Sequence, residues 1–138
     1  NNYSLDNSKF NGEIGNIYIG DEVRVNARSS IYGYGGVKIG KLSVLAEGTK
    51  IFSSTHIPFD PEKPNDKIFI KHSNNYENTP SLDSPILIDE NSFIAVNCVL
   101  FPGSHIGKDS FVAPTSVVKG SFEDNSYIEG NPAIKTNK

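Results

Sequence analysis

An aliphatic residue recurs at every sixth position through most of this chain. Ile19, Val25 and Ile31 are followed eight residues on by Ile39, then by Leu45 and Ile51. After a gap the series resumes at Ile88, Ile94, Leu100, Ile106, Val112 and Val118. Four residues past the anchors stand Val23, Ser29, Ser43, Thr49, Thr55, Ser92, Cys98, Ser104, Ser110 and Ser116, nearly all of them small. The residue following the anchor is often Gly, Ala or Asp, as at Gly20, Gly40, Ala46, Asp89, Ala95, Gly107 and Ala113. A helix repeats at 3.6 and a strand at 2, so a period of six belongs to neither. It belongs to a solenoid, in which each turn buries its apolar face only against the next. Three hexads make a triangular coil of about eighteen residues, and such coils stack as parallel strands about 4.8 Å apart. The expectation is an all-β parallel β-helix with aliphatic columns inside, small residues in the corners, and Gly or Ala where the backbone turns. Periodicity does not set handedness, and the usual crossover rule favours a right-handed coil.

The chain of 138 residues is one domain's worth. It divides into a leader (1–16), first coils (17–56), an excursion (57–85), later coils (86–123) and a C-terminal cap (124–138) in which Tyr127, Ile128 and Ile134 cover the open end. No apolar run approaches a membrane span, and no secretory signal is visible, so the expected location is the cytoplasm. Lys and Arg are scattered singly in a chain of net charge −3, which argues against a nucleic-acid groove. A polyanionic ligand would need a local pocket of lysines. The single cysteine excludes an internal disulfide and a cysteine-based zinc site. Cys98 falls at a small-residue corner and reads as packing.

The excursion IPFDPEKPNDKIFIKHSNNYENTPSLDSP breaks the array immediately after His56. Long loops in compact folds are commonly functional. His56 takes the last, outward position of the hexad that begins at Ile51. Imidazole, with an unperturbed pKa of about 6.5, is suited to removing a proton from an acceptor hydroxyl. Spacing alone leaves a structural role open. His105 takes the same position in the hexad at Leu100, so a register kept across the excursion would put both histidines on one edge. His72 reads as an exposed loop residue.

The hexads, the segment SPILIDENSFIAVNCVLFPGSHIGKDSFVAPTSVVKG and the closing EGNPAIK together resemble the left-handed β-helix, hexapeptide-repeat acyltransferases, in particular the galactoside- and maltose-type sugar O-acetyltransferases. The resemblance covers roughly residues 16 to 135. It implies a left-handed coil and a homotrimer with active sites between subunits. The implied reaction is direct transfer of acetyl from acetyl-CoA to a hydroxyl of a sugar or glycan, without a metal or a covalent intermediate. His56 matches the family's catalytic histidine, and the excursion matches a loop that closes over the acceptor site, commonly of a neighbouring subunit. Some relatives have an acidic residue near the position of Tyr34, in IYGYGG, to orient that histidine; this chain has none there. By position, Asn26, Arg28, Asp60 and His105 belong to the acceptor side. Ala95, Val96, Pro114, Lys119, Gly120 and Lys135 belong to the acetyl-CoA groove, with Lys119 standing in for a lysine that relatives carry at Gly120.

Other readings stand beside this one. An amine of a nucleotide sugar or a hydroxyl of a xenobiotic would serve as acceptor for the same chemistry. The solenoid would also serve as a scaffold or binding module without catalysis. The gamma class of carbonic anhydrases binds zinc through three histidines on this fold, two of them a few residues apart. Spacings of sixteen and thirty-three between His56, His72 and His105 do not match.

Overall fold

A computed structural model describes residues 15–56 and 81–137. Their strands form a parallel solenoid of about four turns with three faces. The first face stacks Ile17–Ile19, Val37–Ile39, Ile86–Ile88, His105–Ile106 and Ser121–Phe122. On the second face lie Arg24–Val25, Val44–Leu45, Phe93–Ile94, Phe111–Val112 and Tyr127–Gly130, closed by an antiparallel return through Ala133–Thr136. The third face holds Ser30–Tyr32, Lys50–Phe52, Val99–Leu100 and Val117–Val118.

Every hexad anchor stacks on an anchor of the next coil. The inward columns are Ile19, Ile39, Ile88, Ile106 and Phe122 on the first face and Val25, Leu45, Ile94, Val112 and Ile128 on the second. On the third they are Ile31, Ile51, Leu100 and Val118. Ile51, Ile88, Ile94, Leu100, Ile106, Val112 and Val118 are all 0% exposed. Burial of each such side chain contributes about 1.5–3 kcal/mol, so the columns dominate the stability of the stack. At the first coil Ile19 and Val25 stay about half exposed, because no described coil lies above them.

Eighteen residues separate paired anchors where the chain runs from Ile88 to Ile106. The first coil is two residues longer, since Ile19 pairs with Ile39 and Ile31 with Ile51. Those two residues sit in the corner Tyr32 to Gly36. Between Val112 and Ile128 the coil shortens to sixteen as the cap begins.

The small residues serve the corners chemically as well as sterically. Ser43 Oγ donates to Asp89 O at 2.9 Å, Thr49 Oγ1 to Ala95 O at 3.2 Å, Ser92 Oγ to Gly107 O at 2.8 Å and Ser104 Oγ to Val118 O at 3.1 Å. In return Ser92 N donates to Ser43 Oγ and Ser126 N to Ser110 Oγ. Buried corner backbone is thereby satisfied from the neighbouring coil.

The turning residues are not the ones expected. Positive φ occurs three positions past the anchor, at Glu22, Arg28, Leu42, Asn91, Asn97, Asp109 and Thr115, and at the glycines Gly48 and Gly103. Gly40, one past its anchor, is small for another reason: a Cβ there would lie 2.6 Å from Glu90 N of the next coil. Close stacking, not turning, selects that glycine.

Candidate active site

Ser53 is where the chain leaves the stack. Its hydroxyl accepts from Gly35 N at 2.9 Å and donates to Tyr32 O, and its carbonyl accepts from Ser84 N at 2.9 Å. These bonds clip both ends of the excursion to the third-to-first edge. Beyond the clip, Ser54–His56 and Ser81–Asp83 pair as an antiparallel ribbon in which Ser54 faces Asp83, Thr55 faces Leu82 and His56 faces Ser81. The excursion thus has paired ends, and His56 stands on the ribbon, exposed, instead of on the coil. Side chains alternate along a strand, so His56, Ser54, Ser81 and Asp83 share one face of the ribbon. The hydroxyls of Ser54 and Ser81 both donate to the Asp83 carboxylate, the latter at 3.5 Å.

His105 does not share that edge position. Above it in the stack lies Leu87, and below it Ser121, because the chain re-enters the coil at Ser84 after the ribbon. The histidine is only 5% exposed, so it is not a surface residue of this chain, and its Nε2 lies 3.8 Å from Asp89 Oδ2. Asp60 and His72 lie outside the described residues.

All but one of the remaining predicted positions fall on two edges. Asn26, Arg28, Ala95, Val96 and Pro114 line the second-to-third edge. There Ala95 is buried at 5% while Val96 is 41% exposed and Pro114 is open to solvent. Arg28, exposed with φ +58°, pairs with Glu47 of the next coil at 3.4 Å. Lys119 and Gly120 lie on the third-to-first edge, below the root of the ribbon. Lys135 is apart from both, on the terminal hairpin, where it donates to Glu123. That bond and the lysine's charge hold the Glu123 carboxyl below its ordinary range. Gly120 has φ +90°, a conformation that side chains resist.

Sequence reasoning missed an aromatic ladder on the ribbon's edge. Tyr32 stacks on Phe52 with centroids 4.8 Å apart, Phe52 lies 6.5 Å from Phe101, and Lys119 Nζ sits 5.3 Å from the Phe101 ring centre. The signal was an aromatic just after the anchor at each of Ile31, Ile51 and Leu100. It also missed Asp83, which with Gly15, Ile17, Gly33 and Tyr34 lines an open hollow beside the ribbon. Cys98 is fully buried, burial pushes its thiol up, and its Sγ donates to Ala113 O at 3.1 Å. It has the environment of a packing residue.

Known proteins resemble this chain in sequence or in fold. A Dictyostelium discoideum protein named as an acetyltransferase is 30% identical over 118 residues, 86% of this chain and 55% of the relative. An Escherichia coli K12 protein named for O-acetyl transfer in lipopolysaccharide biosynthesis is 29% identical over 120 residues, 86% of this chain and 59% of the relative. A hexapeptide-repeat acetyltransferase from Vibrio cholerae, solved with acetyl-CoA, superposes with a TM-score of 0.71 over 88% of this chain and 59% of its own, at 22% identity. The chain is similar in sequence to acetyltransferases and has the fold of a hexapeptide-repeat acetyltransferase. Its solenoid is accordingly the left-handed parallel β-helix, against the usual crossover rule. No family model matches the sequence. The chain spans between half and two thirds of the length of these relatives. Among the described residues no three His, Cys, Asp or Glu side chains gather to hold a metal, and no helix is long and apolar enough to cross a membrane.

Proposed function

We propose that this protein transfers an acetyl group from acetyl-CoA to a hydroxyl of a sugar or glycan, with His56 as general base. The observation that carries the reading is the placement of His56 on a ribbon clipped to the same edge that carries Lys119 and Gly120. The base and a cation suited to phosphate are thus supplied along one line of the solenoid. The two edges named above are separate on one chain, so the acetyl-CoA groove is completed by a second copy. One protomer supplies the Ala95, Val96 and Pro114 edge, and its neighbour the Lys119 and Gly120 edge. Closed threefold association is the expected form.

In the reaction His56 removes the acceptor's hydroxyl proton as the oxygen attacks the thioester carbonyl. A corner N–H holds the tetrahedral oxyanion. Collapse breaks the C–S bond, and the departing thiolate takes the proton from His56, leaving an acetyl ester and free CoA thiol.

The test is calorimetric titration with acetyl-CoA followed by an acceptor screen. Lys119→Glu is the cleaner groove variant, since any side chain at Gly120 strains a backbone at φ +90°. Saturable binding lost in Lys119→Glu, with transfer reduced about 10²–10⁴-fold in His56→Ala, supports the reading. A folded trimer that binds no acetyl-CoA sinks it.

A further inference from the structure

We infer that the hollow between the long first-coil corner and the ribbon is a subsite for one neutral pyranose ring of the acceptor, held by Asp83 and Tyr34. This inference rests on the acceptor reading above and names its substrate class. Asp83 is fixed by two serines, Ser54 on one carboxylate oxygen and Ser81 on the other. A carboxylate has about four lone-pair sites, so each oxygen keeps one for a ligand. No cation among the described residues pairs with this group. A fixed carboxylate that no cation among the described residues neutralises, with one site left on each oxygen, suits two neighbouring ring hydroxyls as donors. It repels an acidic sugar.

Tyr34 supplies the apolar half. It is 80% exposed, and it stands in the corner that holds the two residues by which the first coil exceeds eighteen. The hollow brings it together with Asp83 over Gly33, Gly15 and Ile17. Gly33 lets the Ile17 side chain lie against its backbone, since a Cβ there would come within 2.5 Å of Ile17 Cγ1, and Ile17, 44% exposed, forms the floor. An aromatic side against a fixed carboxylate matches a pyranose, whose C–H face is apolar and whose hydroxyl edge is polar.

Spacing connects the hollow to the chemistry. His56 and Asp83 are diagonal on one ribbon face, since His56 is opposite Ser81 and Asp83 is two residues on. Diagonal positions in an antiparallel pair are about 7–8 Å apart. A ring whose hydroxyls grip Asp83 therefore presents a further hydroxyl toward the imidazole.

The experiment measures binding of the methyl glycosides of glucose, galactose and mannose to the protein loaded with CoA, by saturation-transfer NMR. The proteins compared are wild type, Tyr34→Ala, Asp83→Asn and the control Asp21→Asn, each checked for an unchanged melting curve. Saturable binding of at least one glycoside is expected, weakened tenfold or more by Asp83→Asn and fivefold or more by Tyr34→Ala, with the control unchanged. Asp83→Asn keeps an acceptor oxygen for Ser54 and lets the new amide donate to the Ser81 hydroxyl, so both contacts can persist and, with the melting curve unchanged, the lost binding reports on the ligand and not on the ribbon. Binding indifferent to both substitutions overturns the inference. Acetyl-CoA binding without glycoside binding also overturns it while leaving the transferase reading in place. Absence of both removes the two together.

Discussion

Thr115 sits at φ +61°, where a β-branched side chain crowds its own backbone. The equivalent corner residues of the two preceding coils are Asn97 and Gly48, the types that tolerate this conformation, with Arg28 beyond them. Thr115→Asn is therefore expected to stabilise the protein by up to about 1 kcal/mol, read as a higher urea midpoint at unchanged slope. Cys98 makes the opposite point, a residue whose chemistry is suppressed by its place. It stacks between Thr49 and Ser116 at the same corner, both buried, so Cys98→Ser should change stability by less than about 1.5 kcal/mol. Because burial raises the thiol's pKa, the folded state holds that proton more tightly than the unfolded chain. Stability from this group is whole below the ordinary thiol range and falls as pH rises through it. Unfolding curves at pH 7 and pH 10 should show that alkaline loss in the parent and less of it in Cys98→Ser. The small-residue register was plain from the sequence at Cys98, whereas the strain at Thr115 was not, because backbone φ is set by the corner and not by the residue.

At the scale of the element, Gly40 was legible as a small-residue position but for the wrong reason. Its missing Cβ would press on the backbone of Glu90 at 2.6 Å, and backbone inside a stacked coil cannot move aside as a side-chain tip can. Gly40→Val is expected to cost about 1–3 kcal/mol, and heat denaturation would detect it as a lower midpoint. The terminal hairpin gives a pH-dependent case. Glu123 is held below its ordinary range first by its hydrogen bond to Lys135 and then by that charge, so the contribution is present above about pH 4.5 and fades as pH falls through the lowered value. Both groups are exposed, and the effect is local. Hydrogen-exchange protection factors along Ala133–Thr136, which divide out the intrinsic pH dependence of exchange, should be lower at pH 3 than at pH 6, and Lys135→Gln should flatten that difference. The hairpin itself was read only as a cap, since EGNPAIK carries no hexad to mark it as a strand pair.

The whole molecule is a stack in which each coil touches only its neighbours, which is why an insertion at one corner is tolerated. Loop-closure entropy rises only about 0.6 kcal/mol for each doubling of loop length, and the clip at Ser53 and Ser84 confines the interruption to one edge. If the acetyl-CoA groove is shared between copies, affinity and assembly must be linked. Dilution that dissociates the oligomer, followed by sedimentation velocity, should abolish acetyl-CoA binding over the same concentration range. Binding that persists in a monomer would place the groove within a single chain.

The repeat alone determined the coil, its three aliphatic columns and its small-residue corners, because period six is a local property that each coil displays by itself. It also marked His56, through the break that follows. Which distant residues meet was decided by the point at which the chain re-enters the stack. Re-entry at Ser84 puts Leu87, not His56, above His105, lifts His56 onto a ribbon and brings Asp83 to its side. No periodic pattern encodes that choice, since it depends on the antiparallel pairing of two segments separated by the whole excursion.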